Sequence, residues 1–235
     1  MAGRKGAIAP IVIGVVGCAI LVILGTWQVE RLTWKEGLIA ELQARLAADP
    51  VPLPATPDTE RDQNLRVGVT GTILPEELHV LTSIKNVGPG FRVISPMELD
   101  DGRRIMVDMG YVRETLKDIA TRSADPRASG DGLLGEVVGV LRWPEPDSYA
   151  PPPDQNRKIW FDRVVPDMAA ALGTEPILVI AERHPLDQVP LPRPPGVDLP
   201  NRHLEYAVTW FGLALVWAIM SIVWLRRELR APRSA

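Results

Sequence analysis

Two stretches of the chain hold no charged residue over twenty positions each: residues 7–26, AIAPIVIGVVGCAILVILGT, and residues 206–225, YAVTWFGLALVWAIMSIVWL. A helix rises about 1.5 Å per residue, so each run is long enough to cross roughly 30 Å of hydrocarbon. Neither carries the polar stripe of a helix packed in a soluble core. The pattern therefore predicts transmembrane helices over residues 7–27 and 201–225. The first run exceeds the ~7–15 apolar residues of a cleaved signal peptide and ends in LGTWQVER, without a small-x-small cleavage pattern, so it reads as an anchor.

Between the runs the period changes. Residues 30–48, ERLTWKEGLIAELQARLAA, keep helical spacing and predict an extension of the first span over 28–49, ended by Pro50, Pro52, Pro54 and Pro57. Short runs with β character follow at 65–74, 78–82, 91–99, 103–112, 133–143, 158–161 and 177–182. DDG at 100–102 and GPG at 88–90 read as turns, the first as a tight hairpin. VPDMAAALG (165–173) reads as a helix, and 114–131 and 144–157 as loops. HPLDQVPLPRPPGVDLP (184–200) predicts a stiff, extended return. The predicted fold class is membrane α + β. Two transmembrane helices form a hairpin around one large extracytoplasmic, mainly antiparallel β domain or small barrel (50–200) with one or two helices.

Charge orients this hairpin. Arg4 and Lys5 precede the first span, and Arg226, Arg227, Arg230 and Arg233 follow the second. Basic flanks face the cytoplasm, so residues 1–6 and 226–235 are expected there and the main domain outside. Of 26 basic and 29 acidic residues, setting aside those six basic ones and Glu228 leaves 20 and 28, a net of about −8 for the remainder. Average hydropathy, +0.04, hides this division.

Candidate chemistry is sparse. The sole cysteine, Cys18, lies in the first span, so there is no disulfide framework and no thiolate pair for Cu(I). Gly14 with Cys18, and Ala214 with Ala218, form small-xxx-small steps suited to helix packing. None of His79, His184 and His203 has a further ligand at helical spacing. Asp100 and Asp101 fit a turn better than an acid–base pair, and no nucleophile elbow or phosphate loop is present. Two clusters remain, at the predicted outer membrane face. Trp27, Arg31 and Trp34 are spaced i, i+4, i+7; His203, Tyr206 and Trp210 are spaced i, i+3, i+7. Two readings stand side by side. Aromatic and basic residues anchor spans at the headgroup level. The rise from His203 to Trp210, roughly 10 Å, is also comparable to the width of a porphyrin. Histidine is a common axial haem ligand, and an arginine can pair with a propionate. Trp224 beside Arg226 reads as an anchor; Trp217, nearer mid-span, reads as a packing residue.

The same stretches carry a resemblance. LGTWQVERLTWKEGLI resembles the opening LGxWQxxRxxWKxxLI of the surfeit/Shy family of cytochrome c oxidase assembly factors. VTGTI (69–73), GPGFRVISPM (88–97), VDMGYV (107–112), GVLRWPE (139–145), IWFD (159–162) and NRHLEYAVTWFGLAL (201–215) resemble its later motifs in order. VDMGYV departs from the more usual V-N-R-G-W-V, placing Met109 and Tyr111 where an Arg/Trp pair is expected. The resemblance implies two spans around an outer domain and a role in oxidase biogenesis. It also implies haem a binding by the His and Trp of HxxYxxTW, here His203 and Trp210. The expected site is then His203 on the iron, with Trp210, Tyr206, Arg31 and Trp27 around the ring. Expected partners are oxidase subunit I, haem a synthase and the lipid bilayer, with no nucleic acid; a homo-oligomer sharing the haem stays open, as does the choice between a cytochrome c and a quinol oxidase. A cofactor-free scaffold docking on subunit I is the competing reading, and no enzymatic activity is expected. MAGRKGAIAP is too short for an Arg-rich transit peptide, so a bacterial inner membrane is expected.

Overall fold

The computed structural model describes residues 2–122, 124–154, 156–196 and 200–230, with side chains from residue 8 onward. Arg233 and the side chains of Arg4 and Lys5, used above for orientation, lie outside the described residues, as does part of the predicted return at 197–199. The chain divides into two compact units, residues 1–41 with 197–235, and residues 42–196.

The first unit is built on two helices, α1 (Ala2–Ala47) and α3 (His203–Arg230). The first span and its predicted extension are one unbroken helix. Both helices are long and apolar enough to cross a membrane. They pack as an antiparallel pair: Gln28 meets His203, a side chain grown on Gly25 would strike Phe211, Cys18 meets Ala214, and side chains on Gly17 and Gly14 would strike Trp217 and Ser221. The less exposed positions of α1 include Pro10, Gly14, Gly17, Leu21, Leu24, Gln28, Leu32, Lys35 and Ile39, with Cys18 and Gly25 beside them. Steps of three and four residues follow one another along this seam, the spacing that keeps one helical stripe against a neighbour. His203, Ala207, Trp210, Ala214, Ala218 and Ser221 form the matching seam of α3.

The second unit is a mixed sheet. Its strands are β1 (Val51–Pro52), β2 (Arg66–Ile73), β3 (Leu78–Ile84), β4 (Gly88–Leu99), β5 (Arg104–Arg113), β6 (Leu133–Leu141), β7 (Ile159–Trp160) and β8 (Leu178–Arg183), with helix α2 (Val165–Leu172) between β7 and β8. The order is β1-β2-β6-β8-β5-β4-β3-β7, and an added β2–β4 pairing closes β2, β6, β8, β5 and β4 into a ring. Pairs β1–β2, β3–β7 and β5–β8 are parallel and the others antiparallel. Every predicted strand is present, and β1 was not expected. GPG is a correction. It forms the start of β4, and the chain reverses just before it, where Val87 N donates to Ile84 O and Asn86 has φ 65°. DDG does make the hairpin: Asp101 accepts from Arg103 N, and Gly102 takes φ 85°.

Strand pleating sends alternate residues to two cores. Ile105, Val107 and Met109 of β5 and Val179 and Ala181 of β8 enter the ring. Met106 and Leu178 turn outward, onto Val165, Met168 and Ala169 of α2 and onto Trp160. The return segment is stitched to the sheet through a Tyr111–Leu191 bridge and a bond from Arg92 to Arg193 O.

The predicted loop at 114–131 is more structured than its composition suggests. It forms three short 3₁₀ turns that bury two arginines. Arg122 and Arg127 are 2% and 1% exposed. Arg122 donates to both Glu77 carboxylate oxygens at 2.7 and 2.9 Å. Arg127 reaches Glu77 at 3.1 Å, Asp125 at 2.7 Å and Ser95 Oγ at 2.9 Å. Removing one partner of a buried ion pair strands the other charge, at a cost of about 3–5 kcal/mol. Glu77→Ala is therefore expected to destabilise the sheet unit by about that amount, read from denaturant unfolding of the full chain in detergent.

The same region sets a pH response. Burial opposes ionisation of Glu77, but bonds from His79 and Arg122 and the charges of both arginines more than offset it, holding the carboxyl below its ordinary 4.5. Burial lowers His184 from 6.5 and keeps it neutral. In both cases the unfolded chain binds a proton that the folded chain refuses, so stability falls with falling pH. The loss is expected to begin below pH 6.5 through His184 and to deepen below 4.5 through Glu77. His184→Gln should remove the first stage of a melting-temperature profile and leave the second.

Candidate functional site

His203 opens α3, where Lys35 Nζ donates to the carbonyl of Pro200 just before it. Its Nδ1 lies 2.7 Å from Gln28 Oε1 on α1. Gln28 is buried, 8% exposed, on the seam of α1. An amide oxygen only accepts, so the imidazole proton sits on Nδ1 and Nε2 keeps its lone pair. Among the described residues no protein group bonds Nε2.

The other histidines differ. His184 is bonded on both nitrogens: Nε2 donates to the carbonyls of Met109 and Pro190, both at 3.0 Å, and Nδ1 accepts from Leu186 N at 3.2 Å. His79 bonds Glu77 through Nε2, and its Nδ1 is buried without a partner. His79 also has one bonded and one unbonded nitrogen, but the unbonded one is buried, whereas the unbonded Nε2 of His203 is not among the buried unpartnered atoms. No group of three or more His, Cys, Asp or Glu able to hold a metal is found among the described residues. A haem iron brings most of its ligands with it and needs no such group; a single neutral imidazole with a free nitrogen, as on His203, would suffice to hold it. The residues present fit a haem in that respect. Asn201 Oδ1, close by in sequence, is buried without a donor.

The predicted site residues divide. His203 and Trp210 share the inward seam with Ala207 and Ala214. Tyr206 lies beside it and is 53% exposed, because the small Ala207 takes the position against α1. Trp27 and Arg31 likewise each precede a seam residue, Gln28 and Leu32. One residue is a turn of about 100° round the helix. In an antiparallel pair, that step carries residues of both helices to the same flank. Trp27, Arg31 and Tyr206 therefore border one side of the His203 seam. Trp27 is 53% exposed, and the Arg31 guanidinium lies 3.9 Å from the centre of the Trp34 ring, a cation–π contact.

Sequence spacing missed Gln28 and Phe211. Gln28 lies inside LGTWQVER, and its seven-residue offset from Leu21 and Lys35 places it on the seam. Trp217 packs on Gly17 and donates from Nε1 to Ile13 O at 3.3 Å, which accounts for an indole midway along α3. Trp224 donates instead to Glu228. Met109 and Tyr111, the departures noted above, are buried in the sheet unit, with the Tyr111 hydroxyl donating to Pro89 O. A separate cavity of about 830 Å³ opens in the sheet unit beside α2, between Arg104, Lys158 and Trp160, and contains none of the site residues.

Comparison with known proteins decides the family. The model of the SURF1 family matches residues 15–215. The chain belongs to the SURF1 family. Surfeit locus protein 1 of Rattus norvegicus is 32% identical over 229 residues, covering 88% of this chain and 72% of the relative. Cytochrome oxidase assembly protein SHY1 of Saccharomyces cerevisiae is 28% identical, with 88% and 72% covered. A SURF1-like protein of Rickettsia conorii is 28% identical, with 89% and 88% covered. The SURF1 match takes in both Gln28 and His203, and so both sides of the interhelical bond.

The helix seam makes its own prediction. A Cβ on Gly17 would collide with Trp217 Nε1. Gly17→Val is expected to push the indole away, break its bond to Ile13 O and loosen the pair, costing about 1–3 kcal/mol. A shift of tryptophan emission and a lower melting temperature in detergent would report this; an unchanged spectrum would contradict it.

Proposed function

We propose that this SURF1-family protein is a non-enzymatic assembly factor for a haem-copper terminal oxidase, which holds haem a at the outward membrane face for insertion into subunit I. The observation that carries the reading is the open Nε2 of His203, fixed by its bond to Gln28 at the end of an apolar helix pair. His203 would hold the iron through Nε2. Trp210, two turns on, and Trp27 and Tyr206 on the flank would supply flat apolar walls, and the exposed Arg31 a cation for a propionate. When bound, the haem brings the redox-active iron; the protein's part is to hold and release it.

The assembly role rests on the SURF1 membership and on the name of the yeast relative, a cytochrome oxidase assembly protein. Membrane insertion rests on α1 and α3, whose apolar outer faces include Ile23, Val208 and Leu215, each 64–65% exposed. The proposed hairpin puts both termini in the cytoplasm and the sheet unit in the periplasm of a bacterial inner membrane, with haem a synthase as donor. A single histidine at a lipid-facing site suits a carrier, because it would leave the haem transferable. The same apolar faces would serve the competing reading, a cofactor-free scaffold docked on subunit I.

Purification from cells that make haem a separates the two. The carrier is expected to show a Soret band that survives washing and is largely lost in His203→Ala, while Trp210→Phe weakens or shifts it. A colourless wild-type protein that still co-purifies with subunit I would establish the scaffold.

A further inference from the structure

We infer that Gln28 is a positioning residue for this site: its side-chain oxygen holds His203 as the Nδ1–H tautomer and so presents Nε2 as the metal-binding nitrogen. The inference rests on the haem-binding reading but can fail separately from it.

Three observations carry it. The bond is short, 2.7 Å, and joins two helices through residues 175 positions apart in the chain. Gln28 is 8% exposed, so water does not compete freely for its oxygen. It also stands on a seam otherwise served by Gly14, Gly17, Leu21 and Leu24, where a polar side chain is costly unless bonded. If glutamine were there only for packing, an apolar residue of the same size would serve better. Its oxygen has one described partner, His203 Nδ1. A neutral imidazole carries one proton. Placing it on Nδ1 leaves the Nε2 lone pair free, whereas placing it on Nε2 would remove the ligand altogether. An acceptor that bonds the far nitrogen of a ligating imidazole fixes ring orientation and raises the basicity of the ligating nitrogen, and losing it typically lowers metal affinity by about 10–100-fold.

The test uses the full chain in detergent, with ¹⁵N-labelled histidine, and the variants Gln28→Met, similar in size without an acceptor, and Gln28→Glu, which keeps one. At about pH 9, where imidazole is neutral, wild type and Gln28→Glu are expected to show His203 with a protonated Nδ1. Gln28→Met should lose that signature. In ferric protoporphyrin titrations, Gln28→Met should bind about 10–100-fold more weakly than wild type, with Gln28→Glu restoring most of the loss. A merely structural role would lower melting temperature without moving the tautomer. A wild-type ring protonated on Nε2, a tautomer unchanged in Gln28→Met, or equal porphyrin affinity in wild type and Gln28→Met would each overturn the inference. Absence of porphyrin binding by wild type would instead overturn the haem reading, with the tautomer measurement still deciding what Gln28 does.

Discussion

A neutral imidazole can offer a metal only the nitrogen that does not carry its proton. In this protein that choice is made by a bond between the two helices. Gln28 and His203 are distant in sequence and become neighbours only because α1 and α3 run antiparallel along a common seam. The bond lies where the first turn of α3 has no helical acceptors for its own amides, and beside an apolar seam that gives an unbonded amide no other partner. The tautomer of the His203 ring is decided there.

The seam itself depends on small residues. Gly17 and Gly25 leave room for the rings of Trp217 and Phe211, so that large aromatic side chains lie close against the opposing backbone. Dispersion grows with the number of atoms in contact, and an indole over a glycine makes many such contacts. In lipid, where burial of apolar surface no longer drives association, close packing and interhelical bonds are what remain. The Trp217–Ile13 bond and the Gln28–His203 bond supply the latter at two levels of the pair.

The sheet unit shows a different balance. Its ring of strands is sealed by aliphatic side chains. The segment 114–131 is held by Arg122, Arg127 and Asp125 with Glu77, all buried. Such a network is intolerant of partial loss: each charge is tolerated only while the others are present. It anchors a segment rich in Asp, Ser, Pro and Gly that has little apolar surface of its own to bury.

Much of this was legible in the chain. Twenty uncharged residues in a row make a helix long and apolar enough to cross a membrane, and alternating β-branched residues hide one face as strands, so both helices and nearly every strand could be read directly. The motifs at the two ends pointed to the family and to His203 and Trp210. Local pattern could not show that Ala207, rather than Tyr206, faces α1, since i+3 and i+4 lie on either side of a seam whose position depends on the partner helix. Nor could it show that residues 114–131 bury two arginines, because their common acceptor, Glu77, is 45 and 50 residues away in the chain. Periodicity along one chain determines which residues share a face. Which face meets which, and therefore which nitrogen of His203 is left open, was decided by tertiary structure, because hydrogen-bond partners and ring contacts are set by distance in space.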